Sequence, residues 1–389
     1  MAQAQLDPGE IITAAGFATG HFNVLDAGFA ARLTKFTEWL NEHGNLSAEQ
    51  ALTARAQILQ IVITRLLLEV DRRRLAAIGE EPIERPIFVI GYSRTGTTLL
   101  HSLLAVDPAH QGPLWWHTHQ PSPPPGEMPV ARGRLEAAQR EMDSWNQHTP
   151  GLLTLHPYWD DGVNTLIEDE EIHTLDFQNV YPTLLFRIPA LAIMNLGETA
   201  DPKACYAFQK RFLQHLQWNR PARRWVLKGC AHQFQLQDLF AEFPDAICIW
   251  PHRDPVDVHQ STLAISSVLY HAITNGRIDW QQFARGYLQA TRTGIDRVLA
   301  DPLVDDPRIV HLRFKDLSKD PLTTIRRIYT KFNLAYSDEF EQRMRAWLDD
   351  SSHRSDRYGR YPYSLEPFGL KREDVARMFA DYSERFGLG

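Results

Sequence analysis

Pro86–Leu100 reads PIFVIGYSRTGTTLL. Its first part, Ile87 to Ile90, is an unbroken apolar run, as expected of a central parallel strand covered on both faces. The second part is a loop of small residues entering a helix, the layout of a phosphate-binding turn. Gly91 and Gly96 let the backbone turn tightly, Ser93, Thr95, Thr97 and Thr98 supply hydroxyls, Arg94 adds a fixed charge, and the amides opening the helix point at an anion. Against the nucleotide-binding pattern G-x-x-x-x-G-K-[ST], Thr97 stands where lysine belongs. In a nucleoside triphosphatase that lysine reaches the β- and γ-phosphates and an aspartate elsewhere holds magnesium, and neither is evident here. The loop therefore suits an anion whose terminal group is not a γ-phosphoryl.

A second anion site is written into Ala246–Ser261, AICIWPHRDPVDVHQS. An apolar strand ends at Arg253, Pro255 opens a helix in a favoured first-turn position, and Ser261 follows eight residues after the arginine. A guanidinium fork suits two-point binding of phosphate. On these residues alone, an Arg253–Asp254 pair capping the helix is an equally good reading. Between the two sites lies Arg224–Leu239, RWVLKGCAHQFQLQDL, a third buried strand, Trp225 to Leu227, that ends at Lys228 and runs into a helix.

Taken together, these segments resemble the sulfotransferase superfamily, whose members move a sulfuryl group from 3′-phosphoadenosine 5′-phosphosulfate (PAPS). The resemblance covers most of Arg85 to Leu370 and lies with the bacterial branch. It implies an α/β fold, a parallel sheet flanked by helices, built like that of the P-loop NTPases. It implies further that Ser93, Arg94, Thr95, Gly96, Thr97 and Thr98 hold the 5′ end of PAPS and that Arg253 and Ser261 hold its 3′-phosphate. A late basic segment of the family folds over that phosphate. Here it corresponds to Ser352–Leu370, SHRSDRYGRYPYSLEPFGL, which lacks the R-K-G triplet of the cytosolic animal enzymes and leaves Arg354, Arg357 and Arg360 as candidates.

Transfer of sulfuryl needs a group to take the proton of the acceptor hydroxyl and a cation for the departing phosphate oxygen. Lys228 is the candidate cation. His232, one turn past it in the family's slot, is the candidate base, since an unperturbed imidazole is largely neutral at physiological pH. A rival is Glu170, within the run Glu168-Asp169-Glu170-Glu171, although four consecutive acids more often form a solvated helix face. Cys230 is expected to pack rather than react. His311–Leu334 has helical apolar spacing and is expected to give structural support.

Trp115, Trp116, Tyr158 and Trp159 are expected to line an aromatic acceptor pocket for a phenol, steroid or lipid alcohol. His117, His119, His156 and His173 match no zinc spacing, so no metal is expected.

The chain has 389 residues, enough for one large α/β domain with a helical addition. Residues 1–80 read as a helical extension, Ala30–Glu42 and Ser47–Leu75, that packs on the core or mediates self-association as a possible homo-oligomer. Residues 81–389 read as the α/β domain, with a helical acceptor-side insertion at about 130–222. A net charge of −7 argues against nucleic acid as partner, so the cations are read as locally gathered. Three cysteines without framework spacing, no secretory signal and no membrane span predict a cytoplasmic enzyme with a small-molecule hydroxyl acceptor. Two alternatives are a P-loop kinase for nucleotides or small molecules and a non-catalytic binder of PAPS or its bisphosphate.

Overall fold

Ile87 and Val89 point to one face of their strand and Phe88 and Ile90 to the other, and all four are fully buried. This two-sided burial is what makes the run continuous rather than alternating. A computed structural model describes residues 5–149, 151–157, 161–178, 201–274, 278–359 and 361–388. Tyr158, Trp159, Arg360 and the apolar stretch 181–196 lie outside the described residues.

The strands are β1 (Ile87–Val89), β2 (His110–Gln111), β3 (Arg224–Lys228), β4 (Ile247–His252) and β5 (Ile309–Arg313). They form one parallel sheet in the order β2-β3-β1-β4-β5, as the apolar run of β1 predicts. The chain leaves β1 for β2 and β3 on one side, then crosses to β4 on the other. The ends of β1, β3 and β4 therefore converge at a switch point, where doubly wound sheets bind ligands. Register sharpens this, because Val89 pairs with both Lys228 and Ile249.

One face of the sheet is covered by α4 (Thr97–Ala105), α14 (Pro321–Lys331) and α15 (Asp338–Asp349). The other face carries α9 (Pro202–Gln217) and α10 (Leu236–Glu242), and beyond them the amino-terminal helices α1 (Pro8–Thr19), α2 (Ala27–His43) and α3 (Ala48–Arg74). One buried cluster runs from Phe29 and Ile58 through Phe212 to Phe88. Truncating a ring such as Phe88 in it would cost about 3–5 kcal/mol. Helix α3 begins as its sequence predicts, with Ser47 and Gln50 exchanging hydrogen bonds in a capping box, a device worth about 1 kcal/mol. It is long and apolar enough by composition to cross a membrane, and half of its most apolar window is buried inside the fold.

Arg65 on α3 is the hinge between this layer and the rest. Its side chain is 1% exposed, and it meets Asp176 at 3.1 Å, Asp26 at 3.3 Å and Glu69, while the Phe208 ring lies 4.7 Å from its guanidinium carbon. Arg32 on α2 reaches the same Asp176 at 2.6 Å. Asp176 follows α8 (Glu170–Thr174), so two cations of the amino-terminal layer grip the chain just beyond the acidic run.

Candidate active site

Two glycines of the loop are required by geometry. Gly91 has φ +117°, and a Cβ there would sit 2.8 Å from Cδ1 of Trp250. Gly96 has φ +94°, and its Cβ would fall 2.4 Å from the Phe314 ring. Any L-residue at either position meets both the left-handed penalty and a clash. The loop is then tied down from inside, with Thr95 Oγ1 donating to Tyr92 O at 2.7 Å and the Gly91 N–H donating to Gln233 Oε1 at 3.1 Å. Helix α4 starts at Thr97, so its first-turn N–H groups have no intrahelical acceptor and face the mouth of the loop.

The two sites expected to bind phosphate meet through Arg94. This residue has φ +69°, and its Nε–H donates to Ser261 Oγ at 2.7 Å. Ser261 lies on α11 (Pro255–Thr274), the helix that follows β4. Arg253 donates to the Arg94 carbonyl at 3.1 Å, reaches Asp257 at 3.6 Å, and has its guanidinium 4.8 Å from the Phe314 ring centre. Phe314, just past β5, thus touches both the second loop glycine and the arginine of the second site. The stretch expected only to support the fold therefore places an aromatic ring in the cleft.

At the other end of the loop stands Lys228, 3% exposed. Its ammonium donates to Glu168 Oε1 at 2.8 Å and to Thr98 Oγ1 at 3.3 Å. Burial, the largest influence, would lower the lysine's pKa, but Glu168, Cys230 and Glu170 together outweigh it and the net shift is upward, so the ammonium stays charged. The acidic run is held at this point by a backbone hydrogen bond just past the short β2, the Asp169 N–H donating to the Lys228 carbonyl at 2.8 Å. Glu168 keeps a fifth of its side chain exposed. Ser93 Oγ and Cys230 Sγ sit 3.1 Å apart beside it.

His232 lies on the floor of the same site, 1% exposed and with both ring nitrogens engaged. Nε2 donates to Asp169 Oδ1 at 2.9 Å, and Nδ1 lies 2.8 Å from the Tyr206 hydroxyl. Gln209 donates to the other Asp169 oxygen at 2.8 Å and is met by His173 at 3.1 Å. Burial opposes a charge on either partner, yet the attraction between them prevails: the His232 pKa is raised and the Asp169 pKa is lowered. The candidate base is thus an enclosed ring, with neither nitrogen offered to an acceptor proton in this arrangement. Glu170 is also turned inward, accepting from the Ala231 N–H, and burial together with the neighbouring Glu168 raises its carboxyl pKa to about 7. Gly229 makes this crowding possible, since a Cβ there would be 2.6 Å from His232 Nε2 and 2.7 Å from Asp169 Oδ1.

A family model described as the Sulfotransferase family matches residues 86–338, the span that carries all five described strands and each of these groups. The chain belongs to the sulfotransferase family. The omega-hydroxy-beta-dihydromenaquinone-9 sulfotransferase Stf3 of Mycobacterium bovis is 28% identical over 320 residues, covering 78% of this chain and 75% of that protein. Among solved structures, sulfotransferase STF9 from Mycobacterium avium superposes with a TM-score of 0.83 at 27% identity, covering 100% of this chain and 98% of its own. Sulfotransferase STF1 from Mycobacterium tuberculosis H37Rv gives 0.76 at 25% identity, covering 96% and 98%. The kinase alternative gives way to this match, and the protein is a sulfotransferase.

Two of the late arginines of this sulfotransferase, Arg354 and Arg357, lie among the described residues. Arg354 is exposed, while Arg357 donates to the Pro157 carbonyl, and Thr154 Oγ1 lies 3.5 Å from the Tyr358 carbonyl. That docking touches the active site at one remove, since Arg94 donates to the carbonyl of Leu155 at 2.8 Å. The aromatic pair Trp115 and Trp116 is spent on packing. Both are buried with Ala138, Met142 and Ile167, and Trp115 stacks on His119 at 4.0 Å.

Proposed function

We propose that the protein transfers the sulfuryl group of PAPS to the hydroxyl of a small hydrophobic acceptor, giving a sulfate ester and adenosine 3′,5′-bisphosphate. The observation that carries this reading is Lys228, held between Thr98 of the phosphate loop and Glu168 of the acidic run. An ammonium has three donors, and these contacts use two. The third is the natural partner for the oxygen that bridges phosphorus and sulfur.

In this reading the loop from Ser93 to Thr98 receives the 5′-phosphosulfate, with the first-turn amides of α4 as its cradle. Arg253 and Ser261 receive the 3′-phosphate, Arg94 links them to the loop through its hydrogen bond to Ser261, and the half-buried Phe314 ring offers a stacking surface to the adenine. The acceptor oxygen attacks sulfur in line. Its proton passes to Glu168, the bond from sulfur to the bridging oxygen breaks, and Lys228 meets the charge that collects on that oxygen. Glu168 takes the role of base in preference to His232 because its carboxylate has solvent exposure beside the loop. His232, Asp169 and Glu170 then act behind it, fixing the segment that presents Glu168.

The hydrophobic acceptor class is supported by the Mycobacterium bovis relative, which is named for its action on an omega-hydroxy-beta-dihydromenaquinone-9. The three cysteines, Cys205, Cys230 and Cys248, are unpaired, which supports a reducing compartment such as the cytoplasm. The test is turnover with PAPS, without magnesium, against a panel of phenols, sterols and ω-hydroxy isoprenoids. Formation of bisphosphate in step with a sulfated acceptor supports the reading. Tight binding of the bisphosphate with no transfer to any hydroxyl would replace it with a sensor.

A further inference from the structure

Behind Arg253 lies a polar chain that the chemistry above does not use. His252, the last residue of β4, is 1% exposed, and its ring is stacked on Phe386 at 3.7 Å with a 10° interplanar angle. Its Nδ1 is 2.6 Å from the Tyr382 hydroxyl and its Nε2 is 2.8 Å from His311 Nδ1, while His311 Nε2 is 2.8 Å from the Val304 carbonyl. Tyr382 and Phe386 belong to α17 (Ala380–Phe386), near the carboxyl terminus, and His311 belongs to β5.

The direction of every hydrogen follows from one end. A carbonyl only accepts, so His311 carries its proton on Nε2 and accepts at Nδ1. His252 therefore donates from Nε2 and accepts at Nδ1, where the Tyr382 hydroxyl donates. The chain closes with two neutral imidazoles. Burial, first of all, lowers the pKa of both rings, which keeps them neutral. Trp250 joins the stack, 5.3 Å from the His252 ring, and is the residue that a Cβ on Gly91 would strike. The cluster therefore backs the first glycine of the loop and the strand end from which Arg253 emerges.

We propose that Tyr382, His252 and His311 are positioning residues that fix the end of β4, and with it the Arg253 guanidinium, for recognition of the 3′-phosphate. This rests on the reading that Arg253 binds that phosphate. The helix at the far end of the chain thereby takes part in selecting adenosine 3′,5′-bisphosphate over adenosine 5′-phosphate, although it supplies no ligand atom.

The experiment is a set of dissociation constants for those two nucleotides, measured by calorimetry on the full chain. Tyr382→Phe removes only the hydroxyl, and His311→Leu removes the acceptor for His252. His311→Asn keeps an acceptor near the Nδ1 position. Tyr382→Phe and His311→Leu should each weaken the bisphosphate by about tenfold, as one misaligned hydrogen bond can, and leave the 5′-phosphate within twofold. His311→Asn should restore most of the preference. Equal weakening of both nucleotides, or no change in preference, overturns the proposal. Arg253→Ala is the separate control: if it leaves the preference intact, the 3′-phosphate reading itself falls.

Discussion

Arg94 and Ser261 are joined by a 2.7 Å hydrogen bond across 167 residues of chain, so the phosphate loop and the turn after β4 are one structure. The serine hydroxyl orders the arginine before any ligand arrives. Replacing it should raise the dissociation constant for adenosine 3′,5′-bisphosphate by roughly tenfold, a hydrogen bond to a charged group, with kcat changed less than threefold. Calorimetry on Ser261→Ala alongside steady-state kinetics checks this, and an unchanged affinity with a collapsed kcat would contradict it.

Lys228 and Glu168 should behave as a unit in kinetics. Lys228→Met is expected to lower kcat by about 10²–10³-fold, and Glu168→Gln by about 10²–10⁴-fold. The double variant should lose much less than the product of the two, because each residue alone leaves its partner misplaced. Full multiplicativity in that cycle would separate them.

The Asp169–His232 pair should show in stability as a function of pH. The raised pKa of His232 means its contribution is complete below the unfolded value near 6.5 and is lost as pH rises through the folded value. The lowered pKa of Asp169 means its contribution holds above the unfolded value and is lost as pH falls through the folded one. Denaturation midpoints of the wild type should therefore be highest in the window between the two, and His232→Gln should flatten the alkaline limb. Removing one partner of a buried pair should cost about 3–5 kcal/mol. Parallel curves for variant and wild type across pH 5 to 9 would refute this.

Gly229→Ala is a steric version of the same test. The added methyl enters within 2.6–2.7 Å of both members of the pair, and the backbone of β3 cannot yield without moving Lys228. Turnover should fall at least tenfold and the melting temperature should drop, whereas Gly133→Ala, where a Cβ meets nothing within 4 Å, should leave both unchanged.

Phe314→Ala should weaken the bisphosphate and adenosine 5′-phosphate alike, by roughly tenfold for one stacked base. That common loss distinguishes the ring from Arg253→Ala, where only the nucleotide carrying the 3′-phosphate should suffer.

What could be read in the sequence was local. Gly91–Thr98, Lys228, and Arg253 with Ser261 each sit in a short strand-and-turn pattern, and the strand ends brought them together because parallel sheets place such ends on one edge. Histidine 232 was legible as a resident of the site, but its partners were not. Asp169 comes from 63 residues upstream and Tyr206 from 26, and no local periodicity encodes contacts with His232 over such separations. The acidic run looked like a solvated face, whereas the pairing of Asp169 with the β3 backbone draws it inward. Trp115 and Trp116 illustrate the converse, since aromatic composition says nothing about which face of a ring is already covered. Phe314 hid inside an amphipathic stretch, where it opens the short helix Phe314–Lys319 and stays half-buried.

The grip of Arg32 and Arg65 on Asp176 bears on how small this enzyme can be made. A chain begun at residue 81 would retain all the groups proposed for chemistry and both proposed phosphate sites. It would also leave a carboxylate whose side chain is only 3% exposed without its two cations, at the end of the segment that carries Glu168. Trimming the protein to its family-matching core would therefore strip the counter-charge from the segment that carries Glu168.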